Sequence, residues 1–104
     1  MNKVNEMTTK IYKNYYGWVA ESSIDIEGGR AIRFTTMKRS SGNLVTTATV
    51  GTADENSFSF VMFQDFNKTI IQTRPSRVTA KVVEQQHNQI DVDTVKAQVK
   101  EFYK

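Results

Sequence analysis

The chain has no cysteine, a single histidine and a single proline in 104 residues, and no apolar run approaches the length that crosses a bilayer. Without thiols there are no disulfide staples, thiolate metal sites or cysteine nucleophiles, and a reducing, cytoplasmic setting is expected. The first ten residues, MNKVNEMTTK, lack the apolar stretch of a signal peptide or membrane anchor. His87 is the only imidazole. It stands four residues before Asp91, and two such ligands do not close a metal site. It lies in the polar run Glu84–Gln89, which reads as a solvated surface. Dinucleotide-binding glycine fingerprints, P-loops, zinc-protease helices and nucleophile elbows are all missing. These absences give a non-enzymatic reading, with no catalytic residue, no metal, no cofactor and no membrane partner.

What the chain does have is alternation. From Trp18 to Phe66 the large apolar residues fall almost wholly on even positions: Trp18, Ala20, Ile24, Ile26, Ile32, Phe34, Leu44, Ala48, Val50, Phe58, Phe60, Met62 and Phe66. A period of two is the mark of strands with one buried face. Turn chemistry at Glu27-Gly28-Gly29, Ser41-Gly42-Asn43 and Thr52–Asn56 divides the segment into four strands, 18 to 26, 30 to 40, 44 to 51 and 57 to 66. A three-residue loop at Glu27–Gly29 sets Ile26 opposite Arg30, Ile24 opposite Ile32 and Ser22 opposite Phe34. The same rule at Ser41–Asn43 sets Ser40 opposite Leu44 and Phe34 opposite Val50. Val50 is expected opposite Phe58.

Beyond Phe66 the pattern changes. Pro75, Val78, Val82, Val83 and Ile90 suggest a helix opening near Pro75, while Val78, Ala80 and Val82 also fit a strand. Val92, Val95, Val99 and Phe102 at steps of three and four, behind Asp91 as N-cap, predict a terminal helix. In residues 1–17, Val4, Met7, Ile11 and Tyr15 follow a helical spacing, whereas Tyr12, Asn14, Tyr16 and Trp18 extend the strand alternation. The expected architecture is a single α+β domain over residues 1–104: a four-stranded antiparallel β-meander at 18–66 with two C-terminal helices, 75–103, packed on one face.

Function is then sought on the odd-numbered face. The expected register aligns Met37 with Thr47 and Val61, and Arg39 with Val45 and Phe63, an apolar patch bordered by guanidinium groups. A contiguous patch of this kind usually marks an interface. Arg33 lies diagonal to Glu21 and Asp25, which can occupy it. Fourteen basic residues against eleven acidic ones give a net charge of +3, compatible with a polyanion partner. Lys13, Lys38, Arg39, Arg74 and Arg77 would form one basic ring if the fold gathered them.

The expected site is therefore Arg33, Met37, Lys38, Arg39, Val45, Val61, Phe63, Arg74 and Arg77. The leading reading is a binding module, as a homodimer, that takes single-stranded nucleic acid on an aromatic and arginine platform. The alternative is a protein-binding inhibitor or adaptor, of the kind phages and plasmids carry, anchored through Phe63 and Met37. A small-molecule cavity lined by Tyr16, Trp18 and Phe66 is a third class.

Overall fold

A computed structural model describes the backbone of residues 9–54 and 57–104, and the side chains of residues 9–51 and 66–104. Five antiparallel strands follow one another in the order of the chain: β1 (Thr9–Asn14), β2 (Gly17–Ile26), β3 (Arg30–Lys38), β4 (Leu44–Asp54) and β5 (Ser57–Thr73). Two helices follow, α1 (Ala80–His87) and α2 (Val92–Phe102), and both pack on the even-numbered face of β2, β3 and β4. The α+β arrangement and the lidded face are as expected. The meander has five strands rather than four, because part of the N-terminal segment, Thr9–Asn14, pairs with β2.

Loop chemistry explains the register. Across the first hairpin Ile26 pairs with Arg30, Ile24 with Ile32 and Ser22 with Phe34, as the three-residue loop predicts. Gly29 closes that loop at φ +70°. At the second hairpin the loop lies one residue earlier than expected. Arg39 N–H donates to Asn43 O at 2.8 Å, and Ser40, Ser41 and Gly42 form the loop. The left-handed conformation belongs to the third loop residue. Gly42, at φ +94°, supplies it. Lys38 rather than Ser40 therefore faces Leu44, and Phe34 faces Ala48 rather than Val50. The shift is two residues, so parity survives it and the buried face stays buried.

The third hairpin departs further. Strand β4 continues through Asp54, Val50 faces Phe66 rather than Phe58, and β5 extends to Thr73. Thr47 pairs with Thr69 and Thr46 with Ile71, so Ile70 is the extra residue of a bulge. Past it the inward positions are odd, which hides the end of β5 from a period-two reading. Helix α1 opens at Ala80 and not at Pro75. Thr79 caps it in an extended conformation, and its hydroxyl accepts from Val82 N–H at 3.2 Å. Helix α2 is capped by Asp91 as expected and buries Val92, Val95 and Val99. Phe102 is half-exposed and lies edge-on to Phe66, with centroids 5.4 Å apart.

The buried face holds two apolar clusters. One joins Ile32, Phe34, Ala48, Val50 and Phe66 to Ile90 and the valines of α2; the other joins Ala20 and Leu44 to Val83 of α1, with Ile11, Trp18 and Val78 against it. A polar seam belongs to the same face. His87, expected in solvent, is fully buried. Its Nε2 is 2.8 Å from Ser22 Oγ and its Nδ1 is 2.8 Å from Thr36 Oγ1. Ser22 Oγ continues to Thr9 Oγ1 at 3.0 Å, and Thr36 Oγ1 continues to Thr46 Oγ1 at 2.7 Å. Gln86 Nε2 donates to Thr46 Oγ1 at 3.1 Å and to Leu44 O at 3.0 Å, while its Oε1 accepts from Thr73 Oγ1. Each of the five strands thus contributes one hydroxyl to a chain that α1 completes. Among the described residues no buried side-chain polar atom lacks a partner.

The donation from Gln86 fills one lone pair of Thr46. The direction that uses every buried hydroxyl proton then runs Thr46 to Thr36 to Nδ1, and from Nε2–H to Ser22 and on to Thr9. The imidazole is neutral, with its proton assigned to Nε2. Burial pushes its pKa down to about 4, with the Glu21 carboxylate pulling weakly the other way.

Two measurements follow from this core. Phe34→Ala should lower unfolding stability by about 3–5 kcal/mol in urea, while Thr35→Ala, one residue along on the opposite face, should cost about 1 kcal/mol or less. Above pH 6.5 His87 is neutral folded or unfolded and costs nothing. As the pH falls from 6.5 to about 4 the unfolded chain takes up a proton that the fold refuses, so stability drops by about 3 kcal/mol across that window. Denaturation midpoints at pH 7, 5.5 and 4 should show this drop, and His87→Gln, although less stable, should show a shallower one.

Candidate functional site

The register brings three connections to one end of the sheet. Lys13 pairs with Trp18, Val19 with Met37, Lys38 with Leu44 and Leu44 with Thr73. The β1–β2 turn, the β3–β4 turn and the connector that leaves β5 therefore lie side by side. They carry Lys13, Lys38, Arg39, Arg74 and Arg77, all exposed. The segments that carry these cations, 7–20, 28–53 and 66–83, contain no Asp or Glu, and Glu84 follows on α1. Glu21, Asp25 and Glu27 follow β2 toward the other end.

Aromatics share the basic end. Tyr15 and Tyr16 are 95% and 74% exposed at the tip of the β1–β2 turn, edge-to-face with centroids 5.3 Å apart. Asn14 Oδ1 accepts from Tyr16 N–H at 2.9 Å, and Gly17 takes φ +125° to bring the chain into β2. Such a turn holds two rings in water at little cost in side-chain freedom. Lys13 Nζ lies 5.7 Å from the centroid of Trp18, which is tucked against the α1 cluster.

Between the second turn and the connector is a depression of about 400 Å³ lined by Lys38, Gly42, Arg74, Pro75, Ser76 and Val78. Arg74 Nη1 donates to Asn43 Oδ1 at 3.4 Å, which orients its guanidinium against the turn. A second depression, about 270 Å³, lies between β5 and α2 over Ile71, Ile90 and Val95. Its lysine, Lys68, is directed to Gln98 Oε1 at 3.4 Å. The first concentrates positive charge and is the better candidate site.

Among the described residues no helix packs on the odd-numbered face of β2, β3 and β4, but its rows differ from those expected. Tyr12, Val19, Met37, Val45 and Gln72 form one cross-strand row. Arg39 sits in the turn and not beside Val45. Val45 itself is 7% exposed, standing in the register between the longer Met37 and Gln72, so it is not a partner-facing anchor. Met37 and Arg33 are half-buried. Val61 and Phe63 belong to β5, where Val61 pairs with Thr52, but their side chains lie outside the described residues. Lys38 and Arg74 are thus brought into one depression, with Arg39 and Arg77 in the flanking segments. Tyr15 and Tyr16 are not among the nucleic-acid site residues that the sequence suggests. The expected small-molecule cavity does not form, because Tyr16 is in solvent while Trp18 and Phe66 pack in different clusters.

The open face sets a carboxylate among cations, with Glu21 opposite Lys10 in the register. Tyr12 Oη donates to Glu21 Oε1 at 2.5 Å, and this bond, with desolvation and the nearby carboxylate charge, pushes the phenol up to about 12 against a smaller opposing pull from Arg33. Among the described residues no group of three His, Cys, Asp or Glu side chains could hold a metal ion, and no helix is long and apolar enough to cross a membrane. Comparison of the chain with protein-family models, with curated proteins and with solved structures finds no match.

The Tyr12–Glu21 contact is open to direct measurement. Ultraviolet titration of tyrosinate should show Tyr12 ionising near pH 12, and Glu21→Gln should bring it back toward 10. An unchanged titration curve in that variant would remove the contact.

Proposed function

We propose that the chain is a non-enzymatic module that binds single-stranded nucleic acid across the basic end of the sheet. The reading rests on one observation: five exposed cations and two exposed tyrosines converge from three separate segments that contain no Asp or Glu. Lysine and arginine at such a surface neutralise backbone phosphates and release counterions. Exposed aromatic faces stack on unpaired bases, whichever base is presented. The strand's phosphate lies at Lys38 and Arg74, and its bases lie against Tyr15 and Tyr16. Glu21, opposite Lys10 in the register and acting with Arg33 on Tyr12, sets a carboxylate among the cations in the middle of the open face, which favours binding at the end.

A labelled oligothymidylate titrated at several salt concentrations tests this. Affinity should fall steeply with added salt, and Lys38→Ala with Arg74→Ala should flatten the log–log slope by about 1.4. Tyr15→Ala and Tyr16→Ala should each weaken binding by about 1–3 kcal/mol. A duplex bound as well as the single strand would count against stacking. No binding at low salt, beside a protein partner held with slight salt dependence through Met37, would favour the inhibitor or adaptor reading.

A further inference from the structure

We propose that the depression formed by Lys38, Gly42, Arg74 and Ser76 is a seat for a phosphomonoester, the terminal phosphate of the bound strand. This rests on the single-strand reading and names which part of the strand is recognised.

Beside Lys38 the depression is lined by the Arg74 guanidinium, which lies over the turn. Arg74 Nη1 is engaged by Asn43 Oδ1, and Nη2 lies 3.3 Å from where a β-carbon on residue 42 would stand. Gly42 thus serves twice. Its φ of +94° makes the turn, and its missing side chain lets the guanidinium settle against the turn backbone. A guanidinium has five N–H donors in a planar fork, of which Asn43 uses one. On the connector side Pro75 fixes the backbone torsion ahead of Ser76, whose hydroxyl is a further donor at the rim.

Charge and donor count select the group. A phosphomonoester near neutral pH carries close to two negative charges and three acceptor oxygens, with a second pKa near 6. Two cations and a hydroxyl around one depression match that set. An internal phosphodiester offers a single charge and two free oxygens, and leaves one cation unanswered. Lysine contributes a point charge and arginine a directional fork, so the two are not interchangeable here. At about 400 Å³ the depression also has room for the sugar that follows the phosphate, with Val78 on the wall as an apolar surface for it.

The experiment uses the full chain and oligothymidylates labelled internally, bearing a 5′-phosphate, a 3′-phosphate or hydroxyls at both ends. Thymidine monophosphate and inorganic phosphate serve as free probes, followed by amide shifts of Gly42 and Asn43. One phosphorylated end is expected to bind about tenfold more tightly than the hydroxyl strand, as for one or two charge-assisted hydrogen bonds. Arg74→Ala should abolish that preference, Arg74→Lys should leave only part of it, and Asn43→Ala should reduce it while a thermal melt stays near that of the parent. Gly42→Ala should also lose it. Equal affinity for all three strands would overturn the phosphate seat and leave the single-strand reading standing. Shifts at Gly42 and Asn43 with the free phosphates, but no strand binding, would support the seat as a small phosphomonoester site and overturn the strand reading. No response to any probe would overturn both.

Discussion

One hydrogen-bonded chain fixes where helix α1 sits. Thr9, Ser22, Thr36, Thr46 and Thr73 each present a hydroxyl from a different strand, and His87 and Gln86 complete the chain from a single helical turn. Each neutral bond contributes little alone, about 1 kcal/mol, but a buried partner left unmatched costs about 1–3 kcal/mol. The site inherits this constraint. Thr73 is bound to Gln86 immediately before Arg74, and Gln86 also holds the carbonyl of Leu44, the first residue of β4 after the Gly42 turn. The helix that clamps these two points therefore holds the connector against the turn, and with it Arg74 against Asn43.

Electrostatics then divides the sheet. On the open face Glu21 accepts from Tyr12, and its charge and that of Arg33 both act on the phenol. The far end has cations and no acids in the segments that form it. A potential arising from several like charges at one rim, rather than along a face, steers a polyanion to a place instead of attracting it generally. The two exposed tyrosines matter for the same reason. Positive charge is indifferent to whether a nucleic acid is paired, and aromatic faces in solvent are not.

Much of the scaffold was legible in the sequence, because parity is robust to error. The Gly42 loop was placed one residue late, and the register moved by two, yet Ile32, Phe34, Ala48 and Val50 still point inward. The end of β5 was not legible, since the bulge at Ile70 inverts the alternation that would have revealed it. His87 was read as solvated because its neighbours Glu84, Gln85, Asn88 and Gln89 are polar. The contrary signal was on the strands: Ser22, Thr36 and Thr46 occupy even positions in the face assigned to the core, and buried hydroxyls require polar partners. Residues 86 and 87, three and four places after Val83, were where those partners had to come from. The gathering of the basic ring depends on which turns share an end, and a linear chain shows that only once the strand count is right. With four strands the tyrosine turn has no defined place; with β1 added it falls beside the other two.

The polar seam also limits how the two layers can slide. Helix α1 presents Val83 to the Ala20 and Leu44 cluster and His87 to the hydroxyls one turn further on. Translating the helix by one turn, about 5.4 Å, sets a valine over Ser22 and Thr36 and drives the imidazole toward apolar neighbours. Hydroxyls and ring nitrogens then lose partners together, and the penalties add within one cooperative network. An all-aliphatic face would tolerate that slip far better, since hydrophobic contacts are not directional. The seam gives up some burial of apolar area and titrates in acid, but it leaves one favourable position for the helix. The connector carrying Arg74 and Ser76 is short and begins at a residue the seam already holds, so a single helix position implies a single arrangement of the basic end.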